Sequence, residues 1–487
     1  MNHKNIVIVA SECQPFFASG GLGDVIGSLP TRISKLVNAD GEGNNVIVIL
    51  PLYSNFTNKA YRNKLAYIGH TYVNLSWRRQ YCGVFKYSSK GVTYYFLDNE
   101  YYFKKANFYG YFDDAERFAF FSKAAIDVLE FLDITPDIIH THDWQTGLLP
   151  VYLRTLYSGN PRFINTRTVF TIHNIEYQGK YAYDQETIED VFGIPFEKSN
   201  VLEYRGGTNI MKGAMECSNY VSTVSPTYAE EIQYAYYAKG LELEVARVKE
   251  EGKLRGILNG IDKNFYNPAK DDALFSKYDK KNPAGKVENK LQLQEMLGLQ
   301  VSADIPMIGM VTRLVGHKGL ELVKATLGEV LKEKVQVVIL GTGDSYYEWF
   351  LKDLEHSYRG KLSVIIAFNQ DLSRKIYASS DLFLMPSVSE PCGLAQMIAC
   401  RYGTLPIVRK TGGLADSIKD LSQPKGIGYV FNNIDPVEMY NKIKSALNDF
   451  ENKEKWNKAV LKAMKTDFGW SLSAKKYVEM YEELLNK

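Results

Sequence analysis

The chain has 487 residues, enough for two or three domains with ample cores, and its 45% hydrophobic and 23% charged content is that of a globular enzyme. Lys and Arg number 58 against 56 Asp and Glu, leaving +2. That balance argues against nucleic acid or a membrane surface as partner, yet leaves room for a local basic site that takes an anionic substrate, and no run nears the ~20 apolar residues that span a bilayer.

The first predicted element is the strand Ile6-Val7-Ile8-Val9-Ala10. It is too short, and too soon followed by Glu12, to be a signal peptide. Five cysteines (Cys13, Cys82, Cys217, Cys392, Cys400) without paired spacing predict free thiols in a reducing cytoplasm. The stretch ASGGLGDVIG, residues 18–27, then opens a helix whose Val25, Ile26, Leu29, Ile33, Leu36 and Val37 recur at helical spacing. A glycine loop entering a helix offers free N–H groups and the positive end of a dipole. Main-chain amides at Ser19, Gly20 and Gly21 are therefore expected to hold an oxyanion, although the loop carries no cation and is neither a P-loop nor a full GxGxxG. Asp24, near the helix start, reads as a cap or as part of that site.

Near-continuous apolar runs at 46–50, 92–97, 137–140, 168–172 and 220–224 predict a parallel sheet covered on both faces. Two of these strands run into polar residues. His140-Thr141-His142-Asp143 has a spacing that could suit a metal, but no matching Cys/His cluster follows, so the expectation is a strand-end His–Asp pair orienting a substrate hydroxyl, with no metal. His173 and Asn174 end the next strand.

The alternation restarts near residue 305, with strands expected at 306–311, 335–340, 362–368, 381–386 and 405–409. Two doubly wound α/β domains of similar size follow, 1–257 and 258–468, with the boundary near Leu258-Asn259-Gly260 and the polar stretch 270–289 as an excursion early in the second. The last helix, within 469–487, carries one stripe of Trp470, Ala474, Tyr477, Val478, Tyr481 and Leu485 that must pack on something. Spacing leaves open whether it closes its own domain; crossing back to the first is the expectation. SGGLGDVI at 19–26 is echoed by TGGLADSI at 411–418, matching at six of eight positions when Ser19 and Thr411 count as equivalent. Two loops facing a common cleft are expected, the alternative being that Gly-Gly merely makes a tight turn.

In the second half, Arg313 ends a buried strand and Lys318 follows five residues later, just before a helix. A guanidinium fork and an ammonium at the C-terminal edge of a parallel sheet suit a diphosphate. Glu390, in SVSEPCGL, follows a strand and precedes a helix start, where a carboxylate can accept hydrogen bonds from substrate hydroxyls or simply cap the helix.

The ordered set HTHDWQTGLLP, TIHNIEYQG, VSPTYAEEI, LNGID, TRLVGHKGL, SEPCGLAQM and KTGGLADSI resembles bacterial glycogen synthases and plant starch synthases, most weakly at about 55–115 and 270–290. The resemblance implies a GT-B fold, two Rossmann-like domains facing an interdomain cleft, and retaining transfer of glucose from ADP-glucose to the non-reducing 4-hydroxyl of an α-1,4-glucan. No cofactor or metal is implied beyond the nucleotide-sugar donor. By resemblance, Arg313 and Lys318 hold the diphosphate and Glu390 binds the glucose 3-hydroxyl. Backbone around Cys392, Gly393, Leu394 and Ala395 completes those contacts. His173 sits by the donor sugar with Asp143, Asn174 and Asn259 near, and Phe368 stacks on the base. The departure is Ala18, where the family has lysine; the literal Lys410-Thr411-Gly412-Gly413-Leu414 lies in the second half. That loss keeps UDP-glucose, or a weakly active glucan-binding homologue, as alternatives. A related transferase group with a second Glu seven residues beyond Glu-Pro is disfavoured by Ile398, and a dinucleotide oxidoreductase by the missing GxGxxG.

Overall fold

Runs of Ile and Val become strands here because a branched side chain packs well on a pleated surface and is restricted in a helix. The computed structural model describes residues 4–37 and 43–486, and divides into two units, Met1–Asn259 with Trp470–Lys487, and Gly260–Gly469. In chain order the first unit contains β1 (Lys4–Val9), β2 (Asn44–Pro51), β3 (Ala66–Leu75), β4 (Arg78–Ser89), β5 (Val92–Asp98), β6 (Ile138–His142), β7 (Arg167–Ile172), β8 (Lys180–Ala182), β9 (Glu203–Tyr204), β10 (Gly207–Asn209), β11 (Tyr220–Thr223) and β12 (Leu254–Gly256). Nine of them form one sheet in the order β12-β11-β7-β6-β1-β2-β5-β4-β3, and β8, β10 and β9 form a small antiparallel one.

From β12 to β5 the main sheet is parallel, with Ile6 of β1 opposite Val46 on one side and Ile138 on the other. The chain thus winds away from β1 in both directions. The loops after β1 and β6 diverge there, at the position where such sheets bind ligands. Beyond β5 the sheet turns antiparallel through β4 and β3, two strands that the apolar runs do not reveal. Their inner face is Val73, Leu75, Cys82 and Val84, but the outer one is polar and aromatic, so each reads as a mixed segment.

The C-terminal helix Trp470–Leu485 joins the first unit. Trp470, Ala474, Tyr477, Tyr481 and Leu484 are buried in the same core as Ile6–Val9 of β1. Ser473 donates its hydroxyl to the carbonyl of Leu258, and Arg255 reaches Glu483 at 3.1 Å. Among the described residues no helix is long and apolar enough to cross a membrane, and all five cysteines are free.

The second unit holds β13 (Met307–Val311), β14 (Gln336–Gly341), β15 (Leu362–Ile366), β16 (Leu382–Met385), β17 (Leu405–Arg409) and β18 (Tyr429–Phe431), all parallel in the order β15-β14-β13-β16-β17-β18. Its winding reverses between β13 and β16. The polar stretch 270–289, expected as an excursion, is fastened down instead. Asp271 is buried against Tyr402, whose hydroxyl donates to it at 2.6 Å. Lys286 donates to the carbonyls of Ser380, Ala378 and Tyr402 and to the Thr404 hydroxyl, and burial pulls its pKa down to about 7. Polar side chains can anchor a loop when each finds a partner.

Candidate functional site

Arg313 lies two residues beyond β13, exposed and without an ion pair or side-chain hydrogen bond among the described residues. Lys318 follows in the single turn Gly316–Lys318. Next to it Gly319 has φ +79°, and a Cβ there would come within 2.1 Å of the Pro386 carbonyl oxygen. Only glycine lets the chain leaving β13 pass so close to the end of β16. That passage brings Lys318 to Glu390, 2.8 and 2.7 Å from its two oxygens, while Ser387 donates to the same carboxylate at 2.9 Å. The residues expected to act separately on phosphate and sugar are therefore one ion pair, with Glu390 only 6% exposed. Arg313, five residues before Lys318, is exposed and has no ion pair among the described residues.

The loop carrying Glu390 has a support that the motifs did not reveal. Arg409, buried at the end of β17, donates from Nε to the carbonyl of Ser387 at 2.8 Å and from Nη2 to that of Val388 at 2.6 Å. The signal was an arginine closing an otherwise apolar run, LPIVR. The second glycine pair supports the same loop from below. A Cβ on Gly412 would stand 2.0 Å from the Glu390 carbonyl oxygen, and one on Gly413 2.2 Å from that of Cys392. The Gly413 N–H already donates to the Glu390 carbonyl at 3.1 Å. The echo of 411–418 is thus a buried buttress and no second anion loop, because the Glu390–Cys392 backbone occupies the space a ligand would need. Lys410 is exposed at its rim.

Cys392 is buried, while Gly393, Leu394 and Ala395 are half-buried and lead into the helix Ala395–Arg401, whose first N–H groups lack intrahelical acceptors. Phe368, two residues past β15, is 89% exposed. A phenyl ring so bare has no packing role, whereas a flat partner would cover it. Edge by edge, this unit offers two cations, a carboxylate and an open aromatic face.

In the first unit the opening loop departs from expectation. Its helix, Gly21–Ile33, starts behind Gly20, and Gly20 and Gly21 have open space where a Cβ would go. Yet Glu12, 4% exposed, already takes the amides: its Oε2 accepts from the Ser19 N–H at 2.5 Å and the Gly20 N–H at 3.2 Å. Its Oε1 accepts from the Ser19 hydroxyl at 2.7 Å and from Tyr109 at 2.6 Å. Asp24 does not cap the helix; burial, and then the nearby Glu12, push its pKa up to about 6. With Ala18 in the lysine's place, a carboxylate fills the anion cradle and a second stands beside it. The amides of Ser19 and Gly20 are not free for phosphate; only the loop's crest at Gly21 remains open.

The histidines gather at the ends of β6 and β7. Asp143 takes φ +57°, a strained conformation for a residue with a side chain. Its Oδ1 accepts from the main-chain N–H of His173 at 2.7 Å and of Asn174 at 3.4 Å, and burial raises its pKa to about 7. Asn174 in turn accepts from the Glu176 N–H. His142 Nδ1 lies 2.9 Å from His173 Nε2. His140 is bonded on both ring nitrogens, to Tyr481 at 2.7 Å and Thr171 at 2.5 Å, so it has no nitrogen left for a metal. Burial lowers the pKa of His140 and His173 to about 3 and that of His142 well below the imidazole range, which keeps all three neutral. Asn259, where the chain leaves this unit for the second, keeps a buried Oδ1 without a hydrogen-bond partner among the described residues.

Comparison with known proteins agrees along the whole chain. Residues 5–246 match the family model of the starch synthase catalytic domain, and residues 299–463 that of glycosyl transferases group 1. A glycogen synthase of Alkaliphilus metalliredigens is 46% identical over 98% of this chain and 99% of its own length. One of Clostridioides difficile is 43% identical over the same shares. Among solved structures, the catalytic domain of starch synthase IV from Arabidopsis thaliana, bound to ADP and acarbose, covers all of both chains with TM-score 0.90 and 32% identity. A sucrose-phosphate synthase from Thermosynechococcus elongatus, at 17% identity and TM-score 0.62, shares the fold.

Proposed function

From the premise that this chain belongs to the glycogen and starch synthase family of GT-B glycosyltransferases, we propose that it elongates an α-1,4-glucan. Glucose passes, with retention, from ADP-glucose to the 4-hydroxyl at the non-reducing end. Breaking the bond from C1 to the diphosphate leaves negative charge on the departing nucleotide and positive character on the sugar. Fixed cations answer the first, since they need no reorganisation as the charge develops. Arg313, without an ion pair among the described residues, and Lys318, already oriented by Glu390, supply them. We therefore assign the reaction no metal and no cofactor. Glu390 keeps one oxygen for Lys318 and turns the other to a glucose hydroxyl. Phe368 covers the base, and neutral His173 lies against the sugar.

The observation that carries this reading is the Lys318–Glu390 pair, with Arg313 leaving the same strand β13, where the winding of the second sheet reverses. Five free thiols support a reducing, cytoplasmic setting. Ala18 favours trying a second donor, because the cation that the family carries there is absent. The test is incorporation of labelled glucose from ADP-glucose and, in parallel, UDP-glucose into maltooligosaccharide. Chain extension with ADP-glucose preferred by kcat/KM is expected. No extension from either donor, with glucan binding kept, would replace the enzyme by a binding protein.

A further inference from the structure

His142 is fully buried at the end of β6, its ring 4.1 Å from that of His140 and its Nδ1 2.9 Å from His173 Nε2. Its other nitrogen, Nε2, is buried with no hydrogen-bond partner among the described residues. That orphan fixes the protons. A buried N–H with nothing to accept it costs more than a buried lone pair, and orphaned N–H groups are the rarer kind in folded proteins. His142 then carries its single proton on Nδ1 and donates it to His173 Nε2. His173 must in turn carry its own proton on Nδ1, for which no described residue provides an acceptor. Meanwhile the next residue, Asp143, holds the His173 main chain. Two consecutive side chains thus fix the backbone and the ring of one histidine.

We propose that His142 is a positioning residue that sets His173 as the Nδ1–H tautomer, so that a hydrogen-bond donor and not a lone pair meets the donor sugar's oxygen. The sugar as ligand rests on the proposed function; the tautomer does not. In the reverse arrangement His173 would donate from Nε2, leaving a lone pair outward and the His142 proton buried unpaired. Any sugar hydroxyl could then only donate to the ring.

Long-range proton–nitrogen spectra of the 15N-labelled full chain, with the His173 signals identified by their loss in His173→Gln, test the tautomer directly. The expected result is a protonated Nδ1 and a bare Nε2. His142→Asn puts an amide nitrogen where Nδ1 was and should preserve both the tautomer and most of kcat. His142→Phe cannot donate; kcat for glucosyl transfer should fall about tenfold or more, the scale of one hydrogen bond made in the transition state, with donor KM within about twofold. A protonated Nε2 in the wild type, or His142→Phe as active as His142→Asn, would overturn the proposal. If His142→Phe does not fold, the wild-type spectrum and the asparagine variant still decide. If the wild type transfers no glucose at all, the function fails while the spectrum still judges the tautomer.

Discussion

Residues 19–26 and 411–418 are nearly the same word written in two units, and they do opposite work. In the first, Gly20 and Gly21 stand in open space, and the amides of Ser19 and Gly20 face inward to Glu12. In the second, the glycines are pressed against the Glu390 and Cys392 carbonyls and hold up the loop that bears the ion pair. A Gly-Gly turn before a helix specifies a backbone path; what surrounds it decides whether that path is a binding edge or a brace. Here the literal family string KTGGL occurs in the brace.

The largest effect should come from cutting the Lys318–Glu390 pair, whose loop the second glycine turn supports. Lys318→Ala removes the oriented cation, and kcat should fall about a hundredfold or more, as for loss of one preorganised donor; a loss under about tenfold would detach the brace from the chemistry. Next come matched glycine substitutions read by thermal unfolding. Gly413→Ala drives a Cβ to 2.2 Å from backbone and should destabilise the protein by about 3 kcal/mol or more. Gly21→Ala, at an open first-turn position, should be neutral or stabilising by about 0.5–1 kcal/mol. Equal costs at the two sites would erase the distinction. The smallest effect is electrostatic. The Asp24 pKa is raised from 3.8 to about 6 on folding, so the native state holds this proton more tightly than the unfolded chain does. That contribution is fully present below about pH 4 and is lost as pH rises through 6. Asp24→Asn should flatten this part of the melting profile and be more stable than wild type at pH 7 by about 1 kcal/mol, a small figure because the side chain keeps contact with water.

Much of this was legible. Buried strands announce themselves as Ile/Val runs, and their ends gave Arg313, Lys318, Glu390, His142, Asp143 and His173 the same edge position in each sheet. Contacts over long sequence separation were not. Nothing in the sequence says that Lys318 pairs with a carboxylate 72 residues on, or that Arg409 clamps Ser387 and Val388. Glu12 was seen only as the acid that ends a first strand, because seven residues before a loop carries no periodic signal of a bond to its amides. The outer strands β3 and β4 escaped since half of each faces water. The boundary was expected near Leu258-Asn259-Gly260, and the two units divide between Asn259 and Gly260.

The central claim is that the departing diphosphate is met by the side-chain cations of the second unit and not by the amides of the opening glycine loop. Titration calorimetry with ADP on Arg313→Ala and Gly20→Ala tests it most directly. Arg313→Ala should weaken binding about tenfold or more, while Gly20→Ala, whose new Cβ meets empty space, should leave it within about twofold. Loss of ADP affinity in Gly20→Ala, with Arg313→Ala unaffected, would contradict it.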